Sequence, residues 1–111
     1  MKKYNGSCHC GQVEFVVEGE FTEAISCNCS HCKIKGLLLS FVPSSQITII
    51  SGADSMTTYK FNKMHINHQF CSTCGVQPFG HADDTYAINL NCIKDLDTET
   101  LKINKYDGAS A

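Results

Sequence analysis

Eight cysteines in a chain of 111 residues constrain this fold more than any hydrophobic pattern, because seven of them fall into three short clusters. The clusters are Cys8-His9-Cys10, then Cys27-Asn28-Cys29-Ser30-His31-Cys32, then Cys71-Ser72-Thr73-Cys74-Gly75. Three thiols in one short turn are too many for a core and too few for a closed metal site. A buried divalent cation such as zinc takes four tetrahedral ligands, and soft thiolates suit it better than magnesium or calcium. Two pairs make one complete site. If Cys8, Cys10, Cys71 and Cys74 are used that way, Cys27, Cys29 and Cys32 remain as three ligands with one open position, the arrangement of catalytic zinc. Spacing alone leaves the partition open, since Cys71 and Cys74 can instead close on two of the middle three. Iron with sulfide also uses four thiolates, but zinc needs no assumption about cluster assembly.

The compartment matters to that argument. Met1-Lys2-Lys3 begins like a signal peptide, yet Tyr4-Asn5-Gly6-Ser7 follows where an apolar segment of roughly 7 to 15 residues is required. Export is therefore not expected, and a cytoplasmic location is. In a reducing compartment, closely spaced cysteines mean metal or redox chemistry more often than a disulfide framework. The formal net charge of −2 and the scattered lysines lack the basic footprint of a nucleic-acid binder. No apolar run is long enough to span a membrane. A chain of this length is expected to form one zinc-binding domain over residues 1–111, and it buries only about two-thirds of its unfolded surface, so metal crosslinks would help it.

The remaining pattern predicts strands. Val13, Phe15 and Val17 alternate with Glu14 and Glu18 between Gly11 and Gly19, a half-buried strand. A second strand over Phe21 to Cys27 delivers the chain to the three-cysteine turn, where Ser30 is placed to cap a helical turn ended by Gly36. Leu37 to Val42, closed by Pro43, is short enough to favour a strand. Ile47 to Ile50 and Thr57 to Phe61 flank the turn signal Ser51-Gly52-Ala53-Asp54 and look like neighbours. His65 to Phe70 leads into the Cys71 pair and Val76 to Phe79 leads out, a hairpin-like knuckle in which Gly75 suits the tight turn. Tyr86, Ile88 and Leu90 alternate after the Asp83-Asp84 turn, and Leu101 to Tyr106 makes a last strand. The sum is an all-β fold of small packed sheets with at most one or two helical turns. In an extended segment Cys8 and Cys10 would face one way with His9 turned aside, and Cys27 and Cys29 likewise. Cys71 and Cys74 require a turn that aims backbone N–H groups at sulfur.

With the three clusters placed, the chain resembles the glutathione-dependent formaldehyde-activating enzyme family, which includes centromere protein V. The resemblance is carried by Ser7-Cys8-His9-Cys10-Gly11-Gln12-Val13, by Cys27-Asn28-Cys29-Ser30-His31-Cys32 with Gly36, by Phe70-Cys71-Ser72-Thr73-Cys74-Gly75, by Asn89-Leu90-Asn91-Cys92, and by Tyr106-Asp107-Gly108. It implies that Cys8, Cys10, Cys71 and Cys74 hold a structural zinc. It also implies that Cys27, Cys29 and Cys32 hold the zinc concerned with chemistry, in a fold of small β-sheets joined around the metal. The implied activity is of the carbon–sulfur lyase class, on glutathione or a related thiol and formaldehyde or another small aldehyde. Many members have histidine directly after the first cysteine of the triplet, where this chain has Asn28.

Other residues carry less. Cys92, beside Leu90 and Ile93, is expected to pack as a small apolar residue, although it or a histidine is also the candidate that would close the second site. Lys33 and Lys35 are expected to be solvated surface charges. His9, lying between two ligands, is expected to make a hydrogen bond at the surface or around the metal rather than to bind it, and His65, His68 and His81 show no mutual ligand spacing, whereas His31 is placed to act as a general base beside the metal. Besides the enzyme, the same residues suit a zinc-stabilised interaction module without turnover, or a redox or metal sensor built on an oxidisable three-thiolate zinc.

Overall fold

A computed structural model describes residues 2–61 and 63–110. Ten strands form two sheets. β1 (Lys2–Ser7), β2 (Glu14–Gly19) and β5 (Ile47–Ser51) make the smaller one, in the order β1-β2-β5. The larger contains β3 (Glu23–Cys27), β4 (Leu39–Pro43), β6 (Met56–Tyr59), β7 (Asn67–Cys71), β8 (Phe79–Ala82), β9 (Thr85–Asn89) and β10 (Lys102–Tyr106), in the order β10-β3-β4-β9-β8-β7-β6. All pairings are antiparallel except β10 with β3, which is parallel and sets Tyr106 beside Cys27. The one α-helix described, α1 (Ser30–Lys35), is accompanied only by short 3-10 turns. The all-β expectation holds.

The alternation in β2 does what its pattern demands: Phe15 and Val17 are buried while Glu14 is exposed. They join Phe21, Ala24, Val42, Phe79, Ile88, Leu90, Ile93 and Leu101 in one core between the sheets. Phe15 meets Phe79 edge to face, with ring centroids 5.6 Å apart, the arrangement that aromatic quadrupoles favour. Two smaller apolar clusters each surround one group of cysteines: Val13 with Cys8 and Cys71, and Leu37 and Leu39 with Cys32.

Three expectations are corrected. β5 and β6 are not neighbours: the 3-10 turn Ala53–Ser55 separates them, and they enter different sheets, β5 against β2 and β6 against β7. The segment carrying Cys8 and Cys10 is a turn rather than an extended stretch, closed by Gly11 N–H donating to Cys8 O at 3.3 Å and Cys8 N–H to Val13 O at 3.1 Å. The cap of α1 is Cys29, whose sulfur accepts from Cys32 N–H, and Ser30 is already the first helical residue. Gly36 ends the helix in the left-handed region as its position predicts. β1 has no apolar alternation, and its strand state comes from pairing with β2 along Lys2–Ser7. Among the described residues no helix is long and apolar enough to cross a membrane.

Phe15 is 1 % exposed and Ile34 is 86 % exposed. Phe15→Ala should cost about 3–5 kcal/mol through lost burial and a cavity between the sheets. Ile34→Ala, on the free face of α1, should change stability by less than about 0.5 kcal/mol. Urea unfolding midpoints for the two variants measure the contrast.

Candidate metal centres

The first pair leaves the smaller sheet at the end of β1, and the third cluster straddles the end of β7. Cys71 N–H donates to Val76 O at 2.9 Å and Gly75 N–H to Cys71 O at 2.9 Å, which closes the knuckle. Gly75 has φ 82, a conformation that a side chain would strain. The two knuckles bring Cys8, Cys10, Cys71 and Cys74 together, with all four sulfurs within 4.8 Å of one another. Cys8 and Cys10 sulfurs are 3.6 Å apart, and those of Cys10 and Cys71 are 3.7 Å apart. A tetrahedral ion with metal–sulfur bonds of about 2.3 Å spaces its sulfurs by roughly 3.8 Å. The donor set and its spacing thus fit zinc.

Backbone N–H groups face these sulfurs: Val13 N–H donates to Cys8 Sγ at 3.3 Å, and Thr73 and Cys74 N–H groups to Cys71 Sγ at 3.4 and 3.5 Å. Such donors stabilise thiolates. The Val76 N–H, followed by that of Cys10, draws the Cys74 thiol down to about 6, and the Cys74 N–H lowers Cys71. For Cys10 the Gln12 N–H favours the thiolate, but desolvation and the crowded sulfurs of Cys8, Cys71 and Cys74 prevail and push it up to about 11. Four sulfurs this close cannot all be anionic without a cation between them. One side chain ties the knuckles together outside the sulfurs. Gln12 accepts from Thr73 Oγ1 at 2.6 Å and donates to Ser55 Oγ at 3.0 Å.

The triplet lies where β3 ends. Cys27 is the last strand residue, and Cys29 and Cys32 sit at the cap and in the first turn of α1. Their sulfurs also lie within 4.8 Å of one another. Cys29 N–H donates to Cys27 Sγ at 3.4 Å and Cys32 N–H to Cys29 Sγ at 3.3 Å. Burial followed by the Cys29 and Cys27 sulfurs raises the Cys32 thiol. Burial also acts against the Cys29 thiolate, yet the Cys32 N–H and the thiols around it lower that thiol overall. Two groups of cysteines can therefore hold metal ions, one with four donors and one with three.

The stretch that holds both sulfur groups matches a known family. A family model described as glutathione-dependent formaldehyde-activating enzyme matches residues 3–105. The chain belongs to this family. Among solved structures, a protein from Rhodobacter sphaeroides superimposes with a TM-score of 0.81 at 28% identity, over 90% of this chain and 99% of that one. The two folds therefore agree across nearly the whole of both molecules.

Beside the triplet is a groove of about 470 Å³ lined by Cys27, Cys32, Lys33, Lys105, Tyr106 and Asp107 among others. Lys33 borders it, as an exposed residue. Lys35 departs from the expectation of a free surface charge: its ammonium donates to Gln77 Oε1 at 2.7 Å and lies 5.0 Å from the centre of the Phe70 ring. His31 does not line the groove. Its ring lies 4.0 Å from that of His68, centroid to centroid, and stacks on Phe61 and Tyr59 at 5.4 and 6.0 Å. Desolvation, helped by His68 and Lys35, lowers it to about 4, and both ring nitrogens are buried without a partner among the described residues. His31 thus packs α1 against β6 and β7, and the geometry assigns it no proton to move. Cys92 packs against the main core, where burial pushes its thiol up to about 12.

Sequence reasoning assigned no role to Asn28, Asp107, Gly108 or Gln12, although each stands in a motif that carries the family resemblance. Asn28 Nδ2 donates to Asp107 Oδ1 at 3.0 Å, and this contact followed by one from Ser110 lowers the Asp107 carboxyl.

Burial lowers His68 from its ordinary value of 6.5, with Lys35 adding to the effect. The unfolded chain then binds more protons than the folded one below about pH 6.5, so this residue's contribution is complete above that pH and is lost as pH falls. Melting temperatures at pH 7.5 and pH 5 should drop less in His68→Phe than in the wild type. Equal drops would remove His68 as a cause of acid sensitivity.

Proposed function

We propose that this chain is a zinc-dependent enzyme of the carbon–sulfur lyase type, acting on the adduct of glutathione or a related thiol with formaldehyde or another small aldehyde. In this reading Cys8, Cys10, Cys71 and Cys74 hold a structural zinc. Cys27, Cys29 and Cys32 hold a second one whose fourth position is left for substrate. The observation that carries the reading is the asymmetry between the two sulfur groups: the three-sulfur group borders a groove of about 470 Å³, within the range of small-molecule sites.

The reaction adds a thiol to an aldehyde. The carbon–sulfur bond forms as sulfur attacks the carbonyl carbon, the π pair moves to oxygen, and the proton given up by the thiol ends on that oxygen; the reverse breaks the same bond. A bound zinc supplies a lowered thiol pKa and fixed orientation, with only modest Lewis acidity because three thiolates already outweigh its charge. The chain's own residues supply the rest. Lys33 and Lys105 put positive charge on the groove walls, where a carboxylate-bearing thiol gains from it. Asp107, the acid in the same wall, is engaged by the Asn28 amide and so opposes such a ligand less. Leu37 and Leu38 give the groove an apolar side that limits water around the reacting atoms.

Purified protein should carry two zinc ions per chain, one released quickly to a colorimetric chelator and one resistant. Cys27→Ser should retain only the resistant ion. Two ions released at one slow rate would favour a closed structural pair. In the activity assay, free formaldehyde should disappear faster with glutathione and wild-type protein than with glutathione alone, and Cys27→Ser should abolish the difference. A wild-type rate equal to the uncatalysed addition would exclude this substrate pair.

A further inference from the structure

Asn28 stands between the first two sulfurs of the triplet, yet its backbone N–H and its side-chain amide are turned to one distant segment. Its N–H donates to Tyr106 O at 3.1 Å, its Nδ2 to Asp107 Oδ1 at 3.0 Å, and its Oδ1 accepts from Ala109 N–H at 3.0 Å. Of the short side chains, an amide is the one that offers donor and acceptor on a single planar group. Between the two side-chain contacts lies Gly108, held so near the triplet that a Cβ there would run into Cys27 Sγ and stand 3.2 Å from Cys29 Cβ. The parallel pairing of β10 with β3 delivers the segment to this place, because Tyr106 is in register with Cys27. Lys105, Tyr106 and Asp107 then form one side of the groove that Cys27 and Cys32 border.

We propose that Asn28 is a positioning residue that latches the Tyr106–Ala109 segment onto Cys27, covering that sulfur on one side and fixing one wall of the groove through which a thiol reaches it. This deepens the functional reading above and rests on the triplet being the reactive centre. The latch sets how far Cys27 is open to an incoming molecule. The absence of a side chain at residue 108 sets how closely the segment lies on the sulfur.

The test uses the protein as purified. Iodoacetamide labels it for short times, and peptide mass mapping gives the rate at Cys27 relative to Cys10, an exposed thiol in the other sulfur group. Brief trypsin treatment gives the rate of cleavage after Lys105. Asn28→Asp removes the donor and sets a second carboxylate against Asp107. The Cys27-to-Cys10 ratio should rise by about tenfold, the change that losing hydrogen bonds of modest net strength makes in an opening equilibrium. Cleavage after Lys105 should rise with it. The reciprocal pair Asn28→Asp with Asp107→Asn rebuilds the contact with donor and acceptor exchanged, and should return both rates to within about twofold of wild type, since coupled partners show their interaction as non-additivity. Gly108→Ala, which leaves Asn28 intact, should raise the ratio by wedging the segment off Cys27.

An unchanged ratio in Asn28→Asp and Gly108→Ala would overturn the latch. So would a reciprocal pair no better than the single variant. A parallel rise at Cys10 and Cys27, the mark of general loosening, also counts against it. Lack of formaldehyde turnover by wild type would remove the proposed substrate, while the labelling and cleavage rates would still decide whether the latch exists.

Discussion

The structure depends on sulfur meeting sulfur across two sheets. Cys8 and Cys10 follow the edge strand of the three-stranded sheet, Cys71 ends β7 of the seven-stranded sheet with Cys74 just beyond it, and their thiols converge to contact. Apolar packing between the sheets, centred on Phe15 and Phe79, brings these ends close. Packing does not by itself make four ionisable sulfurs tolerable neighbours. The backbone N–H groups aimed at them lower some thiols, and desolvation followed by crowding raises Cys10. A divalent cation would resolve that conflict, and its binding free energy would become folding free energy. The Gln12 bridge to Thr73 and Ser55 shows the same junction secured by uncharged groups.

The triplet is built differently, because its sulfurs come from one local turn between β3 and α1. Locality makes the site easy to form and leaves its surroundings to be supplied by other parts of the chain. α1 is anchored on one side by His31 among Tyr59, Phe61 and His68, and by Lys35 on Gln77 and Phe70. On the other side β10 and the residues after it close against Cys27. The helix is thereby fixed between β7 and β3, and the sulfurs it carries inherit that placement.

How much of this was legible follows from which features are local. Cysteine clusters, the alternation of β2, the glycine that ends α1 and the Cys71 knuckle are written in short stretches, and the structure has them where the pattern placed them. β1 carries no such pattern, since Lys2 to Ser7 is polar and becomes a strand through its partner. The pairing expected between Ile47–Ile50 and Thr57–Phe61 failed because a turn signal announces a reversal without saying which sheet receives the next strand. The place of His31 among the sulfurs suggests acid–base work, whereas its ring is committed to aromatic neighbours about thirty or more positions away in the chain. The contacts of Asn28 span 79 and 81 residues, a distance over which no spacing rule operates.

The two sulfur groups also differ in when a growing chain can complete them. Cys10 and Cys71 are 61 residues apart in sequence, while the triplet spans six. At a synthesis rate of about 5–20 residues per second, the first pair waits roughly 3–12 s for its counterpart after it is made. The triplet is finished during that interval. A nascent chain thus presents a complete local set of three thiols beside a half-built set of two.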